Sequence, residues 1–394
     1  MRRLPPERRR ELVGMVRELG PRFAERAPKY DRDASFPFEN YDDLRSIGFL
    51  GLCIPEQYGG LGADLATYAL VAEEIGRYCG STALTFNMHT ATCLLTGPIA
   101  DDLDWTEEER AQLEARRERL YRGILEEGNI HSQPFSEGVQ TGALEGYLTT
   151  AIPVEGGYRV TGKKIFASLS DAAQFHNVLA MVPGDDQVRF LGVPADAEGV
   201  STEGEWDPLG MRGTVSKNLI MRDVFVASEN EWLPAGGFNQ AAQRWPFMYL
   251  TLSFTFLGLM QGAIDFARDY LVGQGGPGER REIPQKQHGW ADMLLKHEQA
   301  QSLTYRLLAE MHRDPEPELV KRAWAAVVST METAPEVAAL AIRVCGGRSL
   351  LKPLALERIY RDARCGATML PWSVDVCLER LGRYQLFDDQ TAPA

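Results

Sequence analysis

The residues whose types and spacing are suited to chemistry are, first, carboxylates. Asp375 and Glu379 stand four apart in a stretch of helical pattern after Trp372, which puts both on one helix face. Buried together, such a pair would repel, raising one pKa towards the range where a carboxylate trades protons at neutral pH. The competing reading is a solvated face with Arg380 and Arg383 alongside. The six histidines, at 89, 131, 176, 288, 297 and 312, have no metal-ligand spacing, and the six cysteines include no CxxC pair, so no metal is expected. There is no G-x-S-x-G elbow, and no cysteine has an obvious histidine partner in local sequence, which argues against a hydrolase. Residues 58–64, YGGLGAD, are rich in glycine, but no strand pattern precedes them. A turn between helices explains them better than a dinucleotide fingerprint.

The elements that must position these groups fall into three blocks. Residues 1–127 read as helices: Leu65, Tyr68, Ala69, Ala72 and Ile75 form one apolar stripe, and Thr106 precedes a highly charged helix as its N-cap. Residues 128–236 change to short alternating runs at 157–160, 177–182, 188–193 and 218–226, punctuated by Gly, Pro, Asp and Asn, the pattern of an antiparallel β unit. Residues 237–394 return to helices at 239–272, 285–312, 316–344, 354–365 and 371–386. Helix, sheet, helix is the expected order.

Composition sets the outer limits. The chain has 394 residues, 44% apolar and 25% charged, enough for two or three packed subdomains and too apolar for a disordered chain. A formal net charge of −13 disfavours a general nucleic-acid surface. No run reaches about 18 consecutive apolar residues, so no membrane span is expected; 247–260, the strongest candidate, carries Thr251, Ser253, Thr255 and Gly258. The start, MRRLPPERRRELV, is basic with no apolar run behind it, unlike a secretory signal. With six thiols read as buried small hydrophobes, this sets a cytoplasmic expectation.

Several segments together resemble the acyl-CoA dehydrogenase family of flavoproteins. They are GFLGLCIPEQYGGLGADLATYALVAEEIG at 48–76, the pair Ser132–Gln133–Pro134 and YRVTGKKIFAS (158–168), LGMRGTVSKNLIMRDVFV (209–226), and finally Cys345–Gly346–Gly347 with LERIYRDAR (356–364). They follow in family order along nearly the whole chain. The resemblance implies an α+β fold: an N-terminal helical domain, a central antiparallel β domain and a C-terminal four-helix bundle. It also implies flavin between sheet and bundle, and a homodimer or homotetramer whose second subunit completes the cofactor site.

By the same resemblance, Asn129, His131 and Ser132 bond the polar edge of the flavin ring, and Phe166, Ala167 and Ser168 pack on it. Gly346 and Gly347 let a neighbouring subunit approach the pyrophosphate, although a helix C-cap is the plainer reading of each. The departures concern the reaction. The family's thioester oxidation takes an α-proton with a carboxylate while hydride goes from the β-carbon to flavin. The usual base position is Leu370, or Pro371 with a one-residue slip, and the alternative seat on the first bundle helix is Met248. Asp375, Glu379 and Glu137 are the substitute carboxylates. His89, in TFNMHT, is the candidate to stabilise a flavin hydroperoxide or act as a base near pH 7. Arg343 replaces a glutamine that helps hold the flavin's adenine part, and Leu370–Pro371–Trp372 replaces a Glu-Gly-Thr segment, so either FAD held differently or reduced FMN is implied.

Three readings stay open, with the first as the leading expectation and the second close behind it. The first is oxidation of an acyl thioester, on CoA or a carrier protein, with electrons passed to an electron-transfer flavoprotein. The second is a monooxygenase of the same fold, supplied with reduced flavin by a flavin reductase. The third is a binding protein that keeps the fold without the reaction.

Overall fold

The computed structural model describes residues 4–139, 146–273 and 278–387. Five helices open the chain: α1 (Pro6–Asp33), α2 (Phe38–Ser46), α3 (Leu65–Tyr78), α4 (Gly80–Leu94) and α5 (Glu107–Glu126). Local signals set their ends. Asp64 caps α3 by accepting from the Thr67 amide, and Thr106 with Glu109 forms a reciprocal capping box on α5. The stripe expected on α3 is buried along its whole length. Residues 58–64 form the turn that leads into it.

Seven strands follow: β1 (His131–Ser132), β2 (Thr150–Val154), β3 (Gly157–Ala167), β4 (Phe175–Met181), β5 (Val188–Pro194), β6 (Val200–Glu203) and β7 (Lys217–Ala227). The order is β1-β4-β2-β3-β7-β6, with β5 on the other edge of β4. The long pairs are antiparallel, but β1 and β2 each run parallel to β4 over one or two residues. That corrects a purely antiparallel expectation. The strands β1, β2 and β6 have two, five and four residues, too short or too exposed to carry a period-2 signal.

The chain then returns to helix: α6 (Gly237–Arg244), α7 (Ser253–Leu271), α8 (Pro284–Glu310), α9 (Pro317–Cys345), α10 (Ala355–Arg364) and α11 (Val374–Leu386). One helix expected over 239–272 is two. Trp245 leaves the helical region (φ −130°, ψ 55°) because Pro246 follows, and a 3-10 turn over Pro246–Leu250 connects the pieces. The stretch Pro246–Leu271 and the helix Pro317–Cys345 have the length and hydropathy to cross a bilayer, yet 78% of the apolar window of the first and 50% of that of the second are buried inside the protein.

Both helical blocks share one continuous core, while the sheet encloses a smaller one of its own around Val160, Val178, Leu191 and Val224. The joint between the blocks is α3 against α7. A Cβ on Gly76 would lie 2.6 Å from the Thr255 carbonyl oxygen, and one on Gly258 would lie 2.1 Å from that of Glu73. Only glycine permits backbones this close. Five of the six cysteines are buried and Cys365 partly so, all as free thiols.

Candidate functional site

A cavity of about 920 Å³ opens where α4, the sheet and the last helices meet. Its walls come from α4 (Asn87, Met88, Ala91), the loop after β1 (Gln133, Phe135, Ser136) and the end of β3 (Ile165, Phe166, Ser168). The 206–216 loop and the two bundle segments around 248–252 and 364–380 complete it. This size suits a ligand with several fused rings.

The two loops on the sheet side are strained. Phe166 (φ 53°), Leu169 (70°), Met211 (55°) and Val215 (44°) all lie in the left-handed region without being glycine. For a branched residue such as Val215 that is a marked outlier, and such residues persist only where their surroundings hold them. The hold is mutual: the Leu169 amide donates to the Thr214 carbonyl at 3.0 Å, and the Ser170 amide to that of Val215 at 3.1 Å. On the bundle side, a Cβ on Gly210 would lie 2.4 Å from the Arg361 carbonyl oxygen, so the loop rests directly on the α10 backbone.

The strain turns Phe166 outward, leaving its side chain in the cavity wall, 64% exposed, with its ring edge-to-face with Trp206 at 6.5 Å. Beside it runs a chain of hydroxyls, Ser168 to Ser216 at 2.8 Å and Ser216 to Thr214 at 2.7 Å, all three lining the cavity. An exposed aromatic wall with a polar edge fits a flavin ring. Ala167, expected on the same face, is wholly buried in the sheet's own core, because side chains alternate along β3.

The other expected ring contacts stand elsewhere. Ser132 is buried, with its hydroxyl 2.7 Å from His176 Nδ1. His131 stacks on Phe175 at 5.1 Å and its Nδ1 is 3.3 Å from the Asn177 side-chain oxygen. The Asn129 side chain donates to Glu127 at 2.9 Å. None of the three lines the cavity; the pairing of β1 with β4 turns His131 and Ser132 into the interior, while Asn129 stays partly exposed in the loop before β1. Gln133 takes their place in the wall and donates to Thr92 at 3.0 Å; Asn177 donates to the same hydroxyl at 2.9 Å. The hydrogen bonds of the histidine network therefore reach the cavity through Thr92 and Gln133.

His89 is fully buried with both ring nitrogens in use. Nδ1 accepts from the His131 amide at 3.1 Å, which leaves the proton on Nε2, donated to the Leu50 carbonyl at 2.9 Å. Burial pushes its pKa down to about 4, so it is neutral and structural. Glu137 is also taken. Its carboxylate meets Lys164 Nζ at 2.7 Å and accepts from the Leu148 and Thr149 amides at 2.6 and 2.9 Å. Both side chains are almost entirely buried. The ion pair and amides hold Glu137 below the ordinary carboxylate range despite burial, the largest single influence, acting the other way.

Asp375 and Glu379 lie on the solvent face of α11, and Glu379 is 3.9 Å from Arg383. Val376 and Arg380, one position further round the helix from each, line the cavity instead. Met248 and Leu370, the two seats where a base is expected, are both in the wall. Among the described residues, no Asp, Glu or His lines the cavity; its charged groups are Arg364 and Arg380. Arg343, Gly346 and Gly347 sit at the C-terminal end of α9, outside the wall; Gly346 (φ 82°) caps the helix. Of the residues the sequence did not single out, Thr214 and Ser216 lie in the 209–226 segment already matched, whereas Trp206 has no local signal; Arg380, expected on a solvated face, is in the wall instead. Among the described residues no group of three or more His, Cys, Asp and Glu is placed to hold a metal.

Comparison with known proteins agrees with this fold. Models of the acyl-CoA dehydrogenase N-terminal, middle and C-terminal domains match residues 6–102, 136–224 and 235–369. The chain is similar to a probable acyl-CoA dehydrogenase, YngJ, of Bacillus subtilis, 26% identical over 378 residues, 89% of this chain and 92% of the relative. It is 29% identical over 361 residues to the caffeyl-CoA reductase-Etf complex subunit CarC of Acetobacterium woodii, again 89% and 92%. In structure it resembles FMN-bound TdsC of Paenibacillus sp. A11-2, with a TM-score of 0.82 and 22% identity over 98% of this chain and 99% of that one, a likeness of fold.

Proposed function

We propose, from the premise that this chain belongs to the acyl-CoA dehydrogenase family, that it is a flavin-dependent monooxygenase of that fold rather than a thioester dehydrogenase. The family brings a flavin and oxidoreductase chemistry. One observation carries the choice: no carboxylate lines the cavity among the described residues, and both base seats, Met248 and Leu370, are apolar side chains in its wall. α-Proton abstraction needs a base within hydrogen-bond reach of the substrate, and Glu137, Asp375 and Glu379 are each engaged or solvated elsewhere.

Bound in reduced form, the flavin would supply two electrons to O₂, so that one oxygen atom enters the substrate and the other leaves as water. The chain's own residues serve that reaction by shape and dryness. Phe166 and Trp206 cover a ring, the Ser168–Ser216–Thr214 hydroxyls meet its polar edge, and Leu94, Leu95, Ile99 and Phe238 exclude water from the far wall. Reduced flavin arriving from a separate reductase, as FMN or FAD, is the corresponding partner chemistry.

The dehydrogenase reading keeps one specific support, the curated relatives named as acyl-CoA dehydrogenases across about nine-tenths of the chain. Under it the partner would be an electron-transfer flavoprotein. The deciding experiment uses flavin-loaded protein in two arms. Anaerobic titration with straight, branched and aromatic acyl-CoA thioesters is expected to leave the oxidised flavin spectrum unchanged. With reduced flavin and labelled O₂, apolar ring compounds are expected to gain one labelled oxygen. Bleaching by any thioester within a turnover time would reverse the assignment.

A further inference from the structure

At and behind the bundle end of the cavity, three buried hydrogen-bond donors have no partner among the described residues. Trp372 lines the wall and is 3% exposed, and Trp324 on α9 lies behind it at 2%. Neither indole Nε1–H has a partner among the described residues. Arg380, also in the wall, keeps Nη1 buried and unpartnered while its guanidinium lies over the Trp324 ring, 5.7 Å from the centroid. The two indoles meet edge-to-face at 6.4 Å, and Tyr249 leans on Trp372 at 5.6 Å, so the donors belong to one aromatic patch.

Buried donors are ordinarily paired, and one left open keeps the full desolvation cost of its group. The two in the cavity wall, on Trp372 and Arg380, call for an acceptor from a ligand. Among the described residues none is aimed at them: Glu379 is on the solvent face 3.9 Å from Arg383, and Asp375 is exposed. Arg364, the other cation of the wall, is 3.4 Å from Glu332. Arg380 is thus a cation of the wall whose ion-pair partner is missing among the described residues.

We propose that Trp372 and Arg380, backed by Trp324, form an anion subsite that receives the charged end of an otherwise apolar cavity ligand. The shared chemistry is an oxyanion: the phosphate monoester of a mononucleotide flavin, or a carboxylate or sulfonate on the substrate. Charge-assisted bonds from a guanidinium suit either. The inference deepens the flavin reading of this cavity and rests on it for where the ligand lies, but not on any turnover.

The test is equilibrium binding to the purified full chain, read by calorimetry and tryptophan quenching, with two matched pairs of probes. FMN is set against riboflavin, and 2-naphthoate against 2-naphthamide. In the wild type, the anionic member of at least one pair should bind about tenfold more tightly than its neutral twin. Arg380→Gln and, separately, Trp372→Phe should remove that preference and leave the neutral twin's affinity unchanged. Trp372→Phe keeps a ring in place and deletes only the N–H, so a folding defect in the arginine variant cannot decide the result. Loss confined to the flavin pair assigns the cofactor phosphate; loss confined to the naphthyl pair assigns the substrate anion. Equal affinities within both wild-type pairs, or a preference that survives both substitutions, overturns the proposal. Because no turnover is read, failure of the oxygenation assay and failure of this subsite are separate results.

Discussion

The Met211 amide donates to the Asp362 carboxylate at 2.5 Å. This bond ties the left-handed turn of the cavity loop to α10, where the neighbouring Arg361 guanidinium also holds the Leu209 carbonyl at 2.9 Å. Asp362 is 2% exposed, and burial raises its pKa to about 6. Asp362→Ala would leave a buried amide unpaired at a strained position. The expected cost is about 1–3 kcal/mol, seen as a lower midpoint in thermal unfolding, with weaker flavin retention on gel filtration. Wild-type retention in a destabilised variant would show that the clamp does not shape the site.

Acid stability should follow the buried histidines. Burial pushes His89, His131 and His176 from 6.5 down to about 4, 3 and 4. A depressed histidine pKa means the unfolded chain binds the proton first, so stability falls as pH drops from about 6.5, down to about 4 for His89 and His176 and about 3 for His131, and levels off below. Each histidine contributes up to about 1.4 kcal/mol per pH unit. Asp362, raised from 3.8 to about 6, works the other way over that window: its contribution falls as pH rises. Among these four groups, three against one leave a net loss of stability in acid. Chemical unfolding at half-unit pH steps measures the slope, and His89→Gln should reduce it while the pH profile of turnover keeps its shape.

The Glu137–Lys164 pair should prove structural. Both side chains are buried, and Lys164 also donates to the Leu179 carbonyl at 2.8 Å. Lys164→Met strands a buried carboxylate and should cost about 3–5 kcal/mol. The double variant Lys164→Met with Glu137→Leu should recover much of that loss. Recovery of fold without turnover would return Glu137 to the list of proton acceptors.

Phe166 offers a test in which stability and binding part company. At φ 53° and 64% exposed, it contributes little packing and holds an unfavourable backbone. Phe166→Gly should leave the unfolding midpoint close to that of the wild type, because relief of strain offsets the added freedom of the unfolded chain. Flavin affinity, followed by fluorescence, should fall about tenfold, the worth of one ring contact (roughly 1.4 kcal/mol). Unchanged affinity would take Phe166 off the ring.

Local structure was readable wherever the signal is local. The stripe on α3 and the capping box on α5 involve residues three or four apart, and both appear where the spacing puts them. The helix pair Asp375 and Glu379 was equally readable, but the face they present was not. A helix shows its periodicity in sequence, whereas which stripe meets the cavity depends on how α11 sits against α9, and that turned Val376 and Arg380 inward. Ser132 and His131 went astray for a related reason, since a two-residue strand acquires its facing only by pairing with β4, more than forty positions on.

From sequence alone came the order helix, sheet, helix, the family, and the absence of a carboxylate at Leu370 and Met248, because residue identity and short-range periodicity are properties of the chain itself. The cavity, the neutral role of His89, the engagement of Glu137 and the unpaired donors of Trp324, Trp372 and Arg380 were decided only by tertiary structure. Burial and hydrogen-bond partnership are relations between segments as far apart as Asn87 and Arg380, and no local pattern encodes a contact made across that distance.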